Sequence, residues 1–93
     1  MFAQALVELI GTFVFLSVIL TQGQPIPIAV ALLTAIYFGG HVSGGHFNPA
    51  VTFMKTLEGA LPMSTALVYI IVQLIGATLA FGIYKYVLFP YRT

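Results

Sequence analysis

An all-α membrane protein, with three spanning helices and one re-entrant half-helix, is the fold class this sequence predicts, and three observations predict it. The 93 residues are 60% apolar and only 5% charged, whereas an ordinary globular domain is about a quarter charged. The five charged residues, Glu8, Lys55, Glu58, Lys85 and Arg92, leave 46 uncharged residues from Leu9 to Met54 and 26 from Gly59 to Tyr84. A chain of this size buries only part of its surface on folding, so water would have to solvate what those stretches expose. The third observation is an interruption in mid-chain: Gly39, Gly40, Gly44 and Gly45 fall within seven residues and are followed by Asn48 and Pro49.

Length limits the architecture. A spanning helix takes about 20 apolar residues, so three spans and their connections use up the chain. A membrane barrel needs at least about eight strands with one polar face, and neither the length nor the pattern provides them. Three helices cannot enclose a pore alone, so a pore requires further chains. The net charge of +1 offers no footprint for nucleic acid. The absence of cysteine excludes disulfides and thiolate metal sites. No nucleophile with a placed base and no cofactor loop is present, so neither an enzyme nor a cofactor is expected.

Residues 3–20 form the first span, with Glu8 about two turns in. No Lys or Arg precedes it and no small-x-small site follows, so it reads as a retained helix rather than a cleaved signal. Thr21 to Pro27 is a turn, and Pro25 or Pro27 opens a second helix over 25–40. The glycines then predict a break, because glycine is a poor helix-interior residue, and an irregular loop over 41–48. Asn48 is a good N-cap and Pro49 suits the first helical position, which predicts a helix over 49–57 that stops near Gly59. Its two turns cover about half a bilayer. Pro62 and Ser64 restart the chain, and 63–88 is the last span. Gly76, Ala77 and Ala80 give it a small-residue strip for close packing. Residues 89–93 read as an interfacial tail, with Tyr84, Tyr86 and Tyr91 at a suitable depth. Irregular backbone at membrane depth must be buried in protein or line a wet cavity, because lipid cannot hydrogen-bond it. A polar segment placed there marks a permeation or binding path.

The run SGGHFNPAVT, from Ser43 to Thr52, resembles the signature loop of the major intrinsic protein family, the aquaporins and aquaglyceroporins. Glu8, Gly11 and Thr12 resemble the family's first-helix pattern ExxGT. Gly40-His41 and Ser43-Gly44 precede the NPA triplet as they do there. YIIVQLIGA, from Tyr69 to Ala77, is similar to the third-helix motif, with Gln73 and Gly76 at the matching places. The resemblance covers essentially the whole chain, yet it corresponds to one repeat of a family built from two inverted ones. It matches the first repeat, since Val51 stands where the second usually carries Arg.

The resemblance implies an integral, multi-pass membrane channel for water and small neutral solutes such as glycerol. A second copy in inverted orientation would complete the pore, and dimers could cluster as a tetramer of dimers. Asn48, Pro49 and Ala50 are the implied NPA element; Asn48 is read both as a cap and as a donor to passing water, and Pro49 as a packing residue. The carbonyls of Gly44, Gly45, His46 and Phe47 are the implied acceptor ladder, the plainer alternative being a flexible glycine loop. A lone intramembrane carboxylate such as Glu8 suggests a proton relay or ion site, but the resemblance implies loop support for Glu8 and likewise for Gln73. Ile28, Ile36, Gly45 and Val51 map to the filter or mouth, where no aromatic or Arg appears. His41 and His46 lack a third ligand, so no metal is expected, and His41 reads as a packed loop residue. Three crossings and a returning half-helix divide the basic groups almost evenly: Lys55 and the terminal amine lie against Lys85 and Arg92. That near-balance predicts both orientations in the membrane. Two alternatives stand beside this reading: the first-half subunit of a heteromeric aquaporin, and a non-conducting membrane assembly or lysis-type protein. A truncated, non-functional fragment is a third.

Overall fold

The structure, a computed structural model, describes residues 1–91. Its elements run α1 (Phe2–Gln22), α2 (Pro25–Ser43), α3 (Pro49–Leu57) and α4 (Met63–Ile83), continued by a π-helical turn over Tyr84–Leu88. Together α4 and that turn make one apolar rod, Met63–Leu88, and three rods are long and apolar enough to cross a membrane. The described body measures 45 × 24 × 21 Å, close to the roughly 40–45 Å of a bilayer with its headgroups. Arg92, one of the basic groups in the orientation argument, lies outside the described residues.

Helix α1 is the centre of the fold. It packs on α2 along one side and on α4 along another, α3 packs on α4, and α4 reaches α2 only through the Tyr69 side chain at the C-terminal end of α2, among the described contacts. The α1–α4 seam is close because it is built from small groups. Gly76 is buried, and a Cβ added there would lie 2.9 Å from the Leu9 carbonyl oxygen and 3.4 Å from Thr12 Cβ. Ala80, one turn on, is 1% exposed. In hydrocarbon there is no hydrophobic drive between helices, so such backbone proximity is what holds them. The large apolar side chains accordingly point outward: Leu33, Ile71 and Leu67 are all more than half exposed. The buried interior is largely polar, with Glu8, Thr12, Ser43, His46, Thr52 and Gln73 all buried.

The second helix departs from the sequence expectation. It runs through Gly39 and Gly40 to Ser43, so the irregular segment begins at Gly44 rather than at residue 41. Packing explains why two glycines stay helical. Gly39 is buried, and a Cβ on it would sit 2.5 Å from Val7 Cγ1. The close approach of α1 and α2 offsets a helix-propensity cost of about 1 kcal/mol per glycine. The helix ends where Gly44 turns left-handed at φ 93° and its N–H donates to the Gly40 carbonyl at 2.8 Å. His41 therefore lies on the last turn of α2, where it is exposed, and is not a packed loop residue. Helix α1 runs two residues beyond the expected end, to Gln22, and stops at left-handed Gly23.

Candidate functional site

The site is built on one buried carboxylate. Glu8 is 0% exposed, and both its oxygens act as acceptors. Oε2 accepts from Ser43 Oγ at 2.7 Å and from the His46 N–H at 3.0 Å. Oε1 accepts from the Phe47 N–H at 2.8 Å and from Gln73 Nε2 at 3.0 Å. A charged group at this depth is tolerated only when its partners are supplied by protein, and here α2, the loop and α4 each supply one or more.

The network extends outward from Gln73. Its Nε2 also donates to Thr52 Oγ1 on α3 at 2.9 Å, and that hydroxyl lies 2.9 Å from His46 Nδ1. The tautomer with the ring proton on Nε2 lets Thr52 accept from Gln73 and donate to His46 at once. Tyr69 on α4 donates its hydroxyl to the Ser43 carbonyl at 2.6 Å and sets its ring edge-on to the His46 imidazole, centroids 5.1 Å apart. Ser43 Oγ in turn accepts the Gly45 N–H at 3.1 Å. Among the described residues, the N–H groups of Gly44 to Phe47 are all paired, whereas nothing donates to the carbonyls of those four residues. The loop is thus held by its donors, and its acceptors stay available.

Phe47 sets the geometry of the entry into α3. It has φ 53°, left-handed for a bulky residue, which costs about 1–2 kcal/mol. Its ring is 2% exposed and lies against Gly11 of α1 and Gly39 of α2. The chain then extends through Asn48, at φ −163°, into α3. Asn48 Oδ1 accepts the Ala50 N–H at 2.8 Å, and its main-chain carbonyl accepts the Thr52 N–H at 3.1 Å. Because the cap consumes the amide oxygen, the amide nitrogen points away from the helix start. Asn48 is exposed, and no acceptor among the described residues pairs with that nitrogen. Pro49 occupies the first turn of α3, half-buried beside exposed Ala50. The nine residues of α3 are about 13 Å long, half the hydrocarbon thickness. The helix start carries about half a positive charge.

The filter candidates gather only in part. Ile36 is close to the loop, since a Cβ on Gly45 would lie 3.4 Å from Ile36 Cγ1, and Val51 is half-buried in the first turn of α3. Ile28 lies eight residues before Ile36 on the same helix, about 12 Å along the axis, so within one chain the two stand at different depths. Three members of the polar cluster, Ser43, Thr52 and Tyr69, carry no role in the sequence reading. Ser43 and Thr52 bound the motif and Tyr69 stands four residues, one helical turn, before Gln73; that i, i+4 spacing was the available signal. Among the described residues no group of three His, Cys, Asp or Glu could hold a metal ion.

Comparison with known proteins gives a consistent family. The profile described as "Major intrinsic protein" matches residues 21–92. The chain is similar to maize "Aquaporin NIP1-1", 42% identical over 60 residues, covering 64% of this chain and 21% of that protein. It is similar to "Glycerol uptake facilitator protein-like 6" of Lactiplantibacillus plantarum, 42% identical over 84 residues, covering 81% and 39%. Human "Aquaporin-10" is 36% identical over 96 residues, covering 85% and 31%. The chain thus spans well under half the length of these relatives. No solved structure matches it significantly.

Proposed function

The chain belongs to the major intrinsic protein family and is an integral membrane protein, and on that premise we propose that it forms half of a passive channel for water and small neutral solutes such as glycerol. The other half is a second copy in inverted orientation, so that two α3 helices approach tip to tip and two Asn48-Pro49-Ala50 elements meet at mid-membrane. What supports this reading is the loop itself. Its N–H groups are all taken up by Glu8, Ser43 and Gly40, its four carbonyls accept from no donor among the described residues, and Asn48 presents an amide donor at the positive end of a half-length helix. A file of water needs that pairing: acceptors along the path and donors at the centre. Two opposed helix starts repel cations and turn each passing water oxygen toward the centre, which breaks a continuous proton wire.

In this reading Glu8 and Gln73 hold the loop and do not themselves meet solute. Ile36 and Val51 give each mouth an apolar lining, and without an Arg or an aromatic residue there the mouth admits polyols of glycerol size. The names of relatives on both sides of that division, aquaporin and glycerol facilitator, support both solutes. Flanking charge supports the inverted pair. Lys55 is ion-paired to Glu58 at 3.1 Å at the end of α3, on the side from which α1 starts, and Lys85 lies at the far end of α4.

Stopped-flow shrinkage of proteoliposomes carrying only this chain tests the proposal. Osmotic permeability well above that of empty vesicles is expected, with measurable glycerol uptake; permeability equal to the empty vesicles overturns it. Tagging both ends and probing from one side tests the inversion, and a single orientation would exclude the homodimer.

A further inference from the structure

Phe47 makes no hydrogen bond through its side chain, yet it is the largest fully buried side chain of the described residues, and the helices around it are shaped to receive it. Gly11 on α1 has no room for a side chain: a Cβ there would overlap Phe47 Cε1 and lie 2.6 Å from Cδ1 and 2.7 Å from Cζ. Gly39 on α2 faces the same ring, its Cβ position 3.7 Å from Cζ. The ring therefore fills a notch in the α1–α2 seam that only glycine leaves open. The ring also lines an apolar groove of about 290 Å³ between α1 and α2, together with Gly11, Gly39, Val7, Ile10 and Phe38. The residue accepts a left-handed φ of 53° to reach this position, where glycine would carry no such penalty.

We infer that Phe47 is the positioning residue of the loop: its ring, wedged between Gly11 and Gly39, sets where Asn48 stands and holds the His46 and Phe47 N–H groups against Glu8. The consequence rests on the proposed channel function, because a shifted Asn48 matters only where solute passes it. The wedge and the carboxylate act from opposite ends of one residue. Glu8 takes the Phe47 N–H at 2.8 Å, and the ring pins the side chain, so neither the rotation nor the depth of the peptide leading into α3 is free. A bulky residue held at a positive φ persists only where its surroundings over-determine it.

Two substitutions at Phe47, and a third at Gly11 made alone and combined with one of them, test this. Each is read in two ways: permeability per folded chain in proteoliposomes, and hydrogen exchange at the amides of residues 46 and 47. Phe47→Gly relieves the backbone and removes the wedge, and Phe47→Leu keeps an apolar side chain in the notch. If the wedge positions the loop, Phe47→Gly speeds exchange at both amides at least tenfold and lowers permeability, while Phe47→Leu falls between it and the parent. Gly11→Ala, which drives the ring out, does the same in the parent and adds nothing in the Phe47→Gly background. Unchanged protection in Phe47→Gly, or an equal effect of Gly11→Ala in both backgrounds, overturns the assignment. The exchange measurement decides this even where the parent conducts nothing, an outcome that would sink the channel reading alone.

Discussion

The re-entrant loop and the α1–α4 seam lie within two turns of each other on α1 and are held by opposite means. The seam is a contact of small groups, Gly76 against the Leu9 carbonyl and Ala80 beyond it, with the Glu8–Gln73 bond crossing between the two helices only where they meet the loop. The loop is held by directional bonds, with Glu8, Gln73, Thr52 and Tyr69 closing on backbone and hydroxyl groups. The difference comes from what each brings into the bilayer. A helix arrives with its backbone already paired and asks only for shape, whereas an irregular segment arrives with open N–H groups that lipid cannot satisfy. Substitutions should therefore divide by region: those in the seam lower stability and leave conduction per folded chain unchanged, whereas those in the loop network lower stability and conduction together.

Glu8→Ala is the largest expected effect because it strands four donors at once: Ser43 Oγ, two backbone N–H groups and Gln73 Nε2. Each unpaired buried donor costs about 1–3 kcal/mol, and the total rivals the whole stability of a small domain. Folded protein and permeability should disappear together, measured as monodisperse yield and vesicle shrinkage. A Glu8→Ala protein that folds normally but conducts different solutes would place Glu8 in the pore and break the comparison.

Gly76→Ala probes the other region. Its methyl would meet the Leu9 carbonyl at 2.9 Å, and overpacking of this kind costs about 1–3 kcal/mol. The melting temperature should fall, while permeability normalised to folded chain stays at the parental value. A selective loss of conduction at unchanged stability would show that the seam transmits to the loop.

Asn48→Ala acts on the smaller scale of a single cap, about 1 kcal/mol of stability. Its functional effect should be larger than its effect on stability, because it removes the donor at the α3 start as well as the cap. The expected result is a nearly normal fold with reduced water permeability. A serine at this position restores the cap but not the amide, so Asn48→Ser should recover stability without recovering permeability.

The same division explains what could be seen in the sequence. Charge-free stretches made the three spans legible, and the Asn48-Pro49 pair made the start of α3 legible, because capping is a local property of the chain. The break expected after Gly40 was misplaced by three residues: the helix continues to Ser43, carried past the glycines by the close fit of Gly39 against Val7 and Phe47 across the α1–α2 seam, and propensity is blind to that contact. Glu8 and Gln73 stood out through the family resemblance, while Ser43, Thr52 and Tyr69 did not. Their roles exist only once α2, α3 and α4 converge on one point, 26 residues of chain apart for the Ser43–Tyr69 pair. Ile28 and Ile36 show the converse limit, since spacing alone assigns both to a mouth although they lie at different depths on one helix.

Two fully buried threonines make the finest test of the comparison. Thr52, 0% exposed, accepts from Gln73 and pairs with His46. Thr12, 2% exposed, sits in the α1–α4 seam with a hydroxyl that has no hydrogen-bond partner among the described residues. Valine has nearly the shape of threonine, so the same substitution removes a hydroxyl from each region with little change in packing. Thr52→Val leaves Gln73 and His46 short of a partner and should cost about 1–3 kcal/mol, with a matching loss of permeability. Thr12→Val removes a buried polar group that is paired with nothing, and replacing such a group by an apolar one is neutral or stabilising. Its melting temperature should equal or exceed that of the parent, although Thr12 belongs to the ExxGT pattern and Thr52 is only the residue that closes the loop motif. If Thr12→Val proves as costly as Thr52→Val, the seam depends on directional bonds after all, and the contrast between the two regions fails.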